Sequence, residues 1–193
     1  MLEYEKKILL KPEEYRILTN IWARRSLACF AQTNYYYDTD DYTMSAQGVT
    51  YRIRVKDGIC EATVKEHDAG ENECSVETSK RILSPDDDGC FTDLGLKRQG
   101  TLTTQRIVIS TDGHTTAMLD RNVYLGVVDY ELEIEYPPGY EGSADRFIFS
   151  CASILRSVNL ITDADELGGR ANKAKSKSAR FFERKRCLSQ TAE

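Results

Sequence analysis

Histidine is nearly absent from this chain: His67 and His114 are the two in 193 residues. The six cysteines (Cys29, Cys60, Cys74, Cys90, Cys151 and Cys187) are scattered and form no C-x-x-C pair. A zinc site therefore has no ligand spacing to build on, and buried or free thiols are expected instead. No apolar run approaches the ~20 residues a bilayer-spanning helix needs. The N-terminus opens on a charged strand and not on a signal peptide, so a cytoplasmic protein is expected. Both glycine-rich phosphate cradles, G-x-x-x-x-G-K-[ST] and G-x-G-x-x-G, are missing, so any phosphate must be bound by side chains. Internal repeats, low-complexity segments and linkers are also missing, which predicts one domain over residues 1–193. Net charge is −5, so the surface as a whole does not draw nucleic acid or anionic lipid, and an anion site must be local.

What the chain does have is alternation. In Tyr130-Glu131-Leu132-Glu133-Ile134-Glu135-Tyr136 apolar and acidic residues alternate strictly, so a strand there sets Glu131, Glu133 and Glu135 in one row. The first ten residues repeat the pattern, with Glu3, Glu5 and Lys7 on one face and Leu2, Tyr4 and Ile8 on the other. Between them, Lys11-Pro12-Glu13-Glu14 reads as a helix start, followed by a stripe of Tyr15, Leu18, Ile21 and Trp22. A strand is expected over residues 33–40. A hairpin follows, with arms 49–56 and 59–66 around an Asp57-Gly58 turn. On its first arm Arg52, Arg54 and Lys56 share a face, and on its second Lys65 lies with Glu61 and Thr63. A further strand near 73–79 carries Glu77, and the acidic run Asp86-Asp87-Asp88 lacks calcium-loop spacing and reads as a solvated turn. Segments 102–110, with Arg106, and 115–121, with Asp120, form another hairpin. Phe147, Cys151, Ile154, Leu155 and Val158 are helix-spaced, and residues 171–186 form a strongly basic tail that suits a nucleic-acid or membrane contact or, equally, a solvated helix face. His67 and His114 fall at expected turns.

The charges are sorted by strand. The ends of the chain supply carboxylates, while the middle supplies Arg52, Arg54, Lys65 and Arg106. Three acids in a row repel by up to ~1 kcal/mol per neighbouring pair, which calls for compensation. Eight antiparallel strands can close into a barrel whose lining alternates with its exterior, and such a lumen would set acids beside bases. It would suit a polyanion carrying a hard divalent cation.

With these residues in view, the chain resembles the CYTH superfamily, the triphosphate tunnel metalloenzymes. The likeness lies in Glu3-x-Glu5-x-Lys7, Arg52-x-Arg54, Thr63-x-Lys65, Arg106, Leu119-Asp120, Glu131-x-Glu133-x-Glu135 and the tail Lys175-Ser176-Lys177-Ser178-Ala179-Arg180-Phe181. In length and in Tyr35-Tyr36-Tyr37-Asp38-Thr39 it is similar to the small bacterial members. The resemblance implies an α+β fold: an eight-stranded antiparallel β-barrel, or tunnel, with helices packed outside and a basic helical C-terminal segment. It implies Mg2+ or Mn2+ held by Glu3, Glu5, Asp120, Glu131, Glu133 and Glu135. It implies phosphate binding by Lys7, Arg52, Arg54, Lys65, Arg106, Lys175, Lys177 and Arg180. Catalytic work would fall to Lys7, Glu133 and Glu135. The expected reaction is metal-dependent hydrolysis of a triphosphate, inorganic triphosphate first. Adenylate cyclase or thiamine or nucleoside triphosphatase activity remains open within the same resemblance. The alternative of another class is a non-catalytic binder of polyphosphate or another phosphorylated ligand. The expected partner is a small triphosphate and neither a membrane nor nucleic acid, and the expected state is a monomer or homodimer.

Overall fold

The alternating segments become eight strands, all antiparallel: β1 (Leu2–Leu10), β2 (Ala28–Asp38), β3 (Val49–Lys56), β4 (Ile59–His67), β5 (Cys74–Ile82), β6 (Lys97–Ser110), β7 (Thr116–Tyr124) and β8 (Val127–Tyr136). This computed structural model describes residues 2–67, 74–110, 113–171 and 173–190, without the side chains of residues 2, 3, 67, 74, 75 and 110. The strands follow one another around a closed barrel in the order β1-β5-β4-β3-β2-β6-β7-β8. The β3–β4 and β7–β8 neighbours are joined by two-residue turns. In the β3–β4 hairpin Asp57 and Gly58 both take positive φ, 51° and 76°, as a type I′ turn requires. Leu125 and Gly126 do the same between β7 and β8, at 44° and 75°. The seam is thin, because β1 meets β5 only at Leu2↔Val76, Glu3↔Ser75 and Tyr4↔Cys74. On its other side β1 pairs with β8 from Tyr4↔Tyr136 to Leu10↔Tyr130.

The helices are α1 (Pro12–Trp22), α2 (Thr43–Ala46), α3 (Gly89–Thr92), α4 (Glu141–Ser157), α5 (Asp165–Gly168) and α6 (Lys177–Gln190). None of them is long and apolar enough to cross a membrane. Helix α1 starts as its sequence dictates, with Pro12 in the first turn and Glu14 accepting the Lys11 backbone N–H at 2.8 Å. Its contact with the barrel is made by Leu18, Tyr15, Ile17 and Trp22, whereas Ile21, expected in that stripe, is 43% exposed. Helix α4 begins at Glu141, ahead of its first expected apolar position, and buries Ala144, Phe147, Ile148, Cys151, Ala152 and Leu155. These residues meet the outward faces of β1, β6, β7 and β8 through Ile8, Ile107, Ile109, Leu119, Leu132 and Ile134. Burial on this scale, at roughly 25 cal/mol per Å² of apolar surface, is the main support of that half of the barrel wall. Val158, expected in the α4 stripe, falls beyond the helix and is 44% exposed.

The C-terminal part of the basic segment folds back onto the barrel. Helix α6 caps one mouth of the barrel, burying Phe181 and Phe182 against Tyr36, Leu102 and Tyr124. A bulge makes room for it. Tyr36 pairs with Gly100 but Tyr37 with Arg98, leaving Gln99 as an extra residue in β6. Gly100 has φ 146°, and a Cβ there would stand 3.0 Å from Phe181 Cζ. Lys185 Nζ donates to the Gln99 carbonyl at 2.8 Å, and an Arg186 guanidinium N–H donates to Ser45 Oγ at 2.8 Å. Burial of its aromatic side chains and these ties make the helix a plug for that mouth.

Candidate functional site

Registration of the strands decides which charges meet. Cross-strand partners lie on the same face of a sheet. The pairs Lys7↔Glu133 and Glu5↔Glu135 on β1 and β8, Asp120↔Glu131 on β7 and β8, and Arg106↔Asp120 on β6 and β7 therefore all turn into the lumen. Arg52 and Arg54 of β3, Lys65 of β4 and Glu77 of β5 face them from the other side, around a cavity of about 100 Å³. A larger groove of about 870 Å³ lies on the outside between α4 and α5, lined by Ile148, Phe149 and Ala164 among others. None of the sorted tunnel charges lines that groove, so the chemistry belongs to the smaller, polar cavity.

The two walls differ. On the carboxylate wall nearly every charge is answered. Arg106 grips Asp120 with two bonds, 2.8 Å from Nε and 2.7 Å from a terminal nitrogen, and reaches Glu133 at 3.1 Å. Lys177, from the first turn of α6, bonds Glu133 and stands 3.0 Å from Asp120 and 3.2 Å from Glu131. Arg180 holds Glu131 at 2.7 Å and Asp129 at 3.0 Å. Burial opposes ionisation of Glu133, yet Lys177, Arg106 and Lys7 hold its carboxyl well below the usual carboxylate range. Burial likewise opposes the charge on Lys177, and Glu131, Glu133 and Asp120 overcome it and raise its pKa.

On the cationic wall the accounts do not close. Arg52 bonds Glu77 at 3.0 Å, but its Nε is buried with no acceptor. Arg54 donates to the Asn34 side-chain oxygen at 3.2 Å and has no carboxylate within ion-pair distance among the described residues. Burial, with Arg52 beside it, pulls Arg54 down to about 10. It is still charged at neutral pH, at a cost to the folded state. A buried N–H donor without an acceptor and a guanidinium without a counter-ion are what an anion would satisfy. Lys65 stands across the cavity, 3.5 Å from Glu5.

Between the walls, carboxylate oxygens of Glu5, Glu133 and Glu135 all lie within 4.8 Å of one another. An all-oxygen anionic donor set suits a hard divalent cation such as Mg2+ or Mn2+. Lys7 bonds Glu5 at the same place. Glu131 is more deeply placed. Its Oε2 is taken by Arg180 and Lys177, and its Oε1 is buried with no hydrogen-bond partner.

Of the residues expected from sequence, the structure gathers Glu5, Lys7, Arg52, Arg54, Lys65, Arg106, Glu133, Glu135 and Lys177 around the cavity. Asp120 and Glu131 stand behind it as buried partners of Arg106 and Lys177, and Arg180 is buried against Glu131 in turn. Lys175 does not join them: its side chain is 62% exposed and pairs with Glu183 on the surface of α6. The Glu3 side chain lies outside the described residues, as does that of His67. His114 stacks on Tyr140, with ring centroids 4.5 Å apart, and is exposed. Sequence reasoning did not assign Gln32, Asn34, Tyr36, Thr50, Glu77, Ser176 and Ser178 to the site, which complete the lining, nor Asp129, which braces Arg180. The alternation of Gln32, Asn34 and Tyr36 along one strand carried that signal.

A model of the CYTH domain matches residues 1–156. The chain belongs to the CYTH family. It is 28% identical over 158 residues to YjbK of Bacillus subtilis (strain 168), provisionally named a triphosphatase, a match covering 73% of this chain and 80% of that protein. A solved structure from Bacillus halodurans, provisionally named an adenylate cyclase, is 26% identical with a TM-score of 0.65, over 93% of this chain and 97% of that one. HpAC1 from Hippeastrum, named in the same provisional way as an adenylyl cyclase and described by a dominant triphosphatase activity, is 18% identical. It shares the fold at a TM-score of 0.67, over 94% of this chain and 95% of that one. The CYTH match takes in all eight strands but stops short of α6, so Lys177 and Arg180 reach the tunnel from outside the matched region.

Proposed function

We propose that this CYTH protein hydrolyses the terminal phosphoanhydride bond of inorganic triphosphate in its tunnel, with Mg2+ or Mn2+. The observation that carries the reading is the unsatisfied cationic wall, Arg52 Nε and Arg54, facing the Glu5, Glu133 and Glu135 cluster across one small cavity. The size of that cavity, about 100 Å³, favours a compact polyanion over a nucleotide, because pockets for drug-sized molecules run to roughly 300–1,000 Å³. The names carried by YjbK and HpAC1 support the same class of reaction.

Each residue then has a task. Arg52, Arg54 and Lys65 bind phosphate oxygens and fix the chain along the tunnel, and fixed cations in a rigid wall lower the barrier without reorganising. Arg106 and Lys177 keep Glu133 ionised. Lys7 lies across from Glu133 and offsets charge that builds on the phosphoryl group. Glu5, Glu133 and Glu135 would hold the divalent cation, which when bound supplies Lewis-acid neutralisation of the phosphate oxygens. Water oxygen bonds to the terminal phosphorus as the bridging P–O bond breaks. Pyrophosphate leaves with the bridging oxygen, and the water proton passes to Glu135, the less buried of the β8 pair.

The test is turnover of tripolyphosphate, ATP and thiamine triphosphate with each metal, the products separated. Orthophosphate with pyrophosphate from tripolyphosphate, abolished by a chelator, is the expected result. Glu133→Gln should lower kcat on the order of a hundredfold or more with the fold intact. Cyclic AMP from ATP would assign a cyclase instead, and saturable binding without turnover would leave a polyphosphate binder.

A further inference from the structure

The cationic face of β3 does not end at Arg54. Lys56 pairs in register with Gln32, a residue of the cavity lining, so Lys56 belongs to the same inner face as Arg52 and Arg54. Phe30 pairs with Arg106, also of the lining, and is inward for the same reason. The two side chains meet: Lys56 Nζ stands 3.7 Å from the centroid of the Phe30 ring. Beyond them lies the Asp57-Gly58 turn, so they stand at the mouth opposite α6. Arg52, Arg54 and Lys56 are successive inner positions of one strand. At roughly 3.3 Å per residue they form a ladder about 13 Å long, from the middle of the tunnel to its rim.

We propose that Lys56 and Phe30 form a second recognition layer at this rim, which takes the trailing phosphates of linear inorganic chains longer than three and sets a chain-length preference. The inference rests on the triphosphate reading above. Its physical basis is the partner Lys56 has. Among the described residues Lys56 makes no ion pair, and its contact is the face of an aromatic ring. A ring attracts an ammonium through its quadrupole and so positions it, but it does not cancel its charge. A carboxylate partner would have done both. Lys56 therefore presents an ordered, unneutralised cation where a chain leaving the tunnel must pass. The inner face near this rim also carries Glu61, opposite Arg54, and Arg81, opposite Glu61, whose charges offset each other and leave Lys56 to set the sign. The bond chemistry is unchanged. Water adds to the terminal phosphorus deep in the tunnel, and the chain, one phosphate shorter, departs with the bridging oxygen.

The experiment compares kcat/KM for tripolyphosphate and tetrapolyphosphate in the full chain and in Lys56→Met, Lys56→Arg and Phe30→Leu. Wild type should favour the longer chain. Lys56→Met should lower the tetra-to-tri ratio about fivefold, the size of a half-exposed charge contact, and do so through KM. Lys56→Arg should restore the ratio, and Phe30→Leu should fall between. Lys56→Gln removes the same charge and serves if the Met variant does not fold. An unchanged ratio in both neutral variants overturns the rim layer and leaves the triphosphate reading standing, because tripolyphosphate is still turned over. Failure of wild type to turn over either chain sinks that reading, and the rim layer falls with it.

Discussion

Two walls of one lumen are built on opposite electrostatic plans. The β7–β8 side, with α6, is internally settled: Asp120, Glu131 and Glu133 are buried, and Arg106, Lys177 and Arg180 answer them. The β3 side carries Arg52 and Arg54 next to each other, with an unfilled donor on Arg52 and, on Arg54, a guanidinium that bonds Asn34 but makes no ion pair among the described residues. A settled wall sustains the fold, and an unsettled one has donors to spare for an anion, as the proposed function requires. The contrast separates residues that look alike in sequence, since Arg54 and Arg106 are both inward arginines and, among the described residues, only Arg106 makes an ion pair.

Substitution should break the two walls differently. Arg106→Met strips a buried carboxylate of its bidentate partner, and the expected loss is about 3–5 kcal/mol of stability by chemical denaturation. Arg54→Met should leave stability within about 0.5 kcal/mol of wild type or raise it, since it removes a buried charge that makes no ion pair among the described residues and feels Glu77 only at longer range. Its affinity for tripolyphosphate should nonetheless fall by roughly 2 kcal/mol, read by calorimetry. Arg54→Met as destabilising as Arg106→Met would erase the distinction.

Acid should find the settled wall. Glu133 titrates below its ordinary value, so its contribution to stability is complete above roughly pH 4.3 and is lost as the pH falls through its lower, folded-state value. Glu77 is shifted the same way: burial opposes its charge, and Arg52, Arg54 and Lys65 prevail. A pH series of denaturation midpoints should therefore drop below pH 4, with a shallower drop in Glu133→Gln. The smallest effect is expected at Lys175→Ala, whose exposed pair with Glu183 should be worth under about 0.5 kcal/mol and nothing in turnover.

Much of this was legible in the chain before folding. Strict alternation in 130–136 and in the first ten residues fixes which carboxylates share a face, and the Asp57-Gly58 turn fixes which cations do, because both depend on local geometry alone. Helix spacing found α1 and α4 but could not say that Ile21 stays exposed or that α4 starts at Glu141, since those depend on what each helix packs against. The division of labour among the carboxylates was hidden. Glu131, Glu133 and Glu135 are equivalent by periodicity, and only the arrival of α6 divides them: Arg180 and Lys177 hold Glu131 behind the cavity, whereas Glu133, though also bonded by Lys177, lines it with Glu135. The same docking separates Lys177 from Lys175, two residues apart on a basic tail. Neither the bulge at Gln99 nor the plug it admits has a signature short of the tertiary fold.

The pairing of β1 with β8 has a consequence for how activity arises. These are the first and last strands of the barrel, and Glu5, Lys7, Glu133 and Glu135 meet only across them. Contacts so distant in sequence form late and slowly in folding. A nascent or truncated chain lacking β8 would possess its arginines but no place to assemble the acids around them, so competence should switch on in one step when the ring shuts.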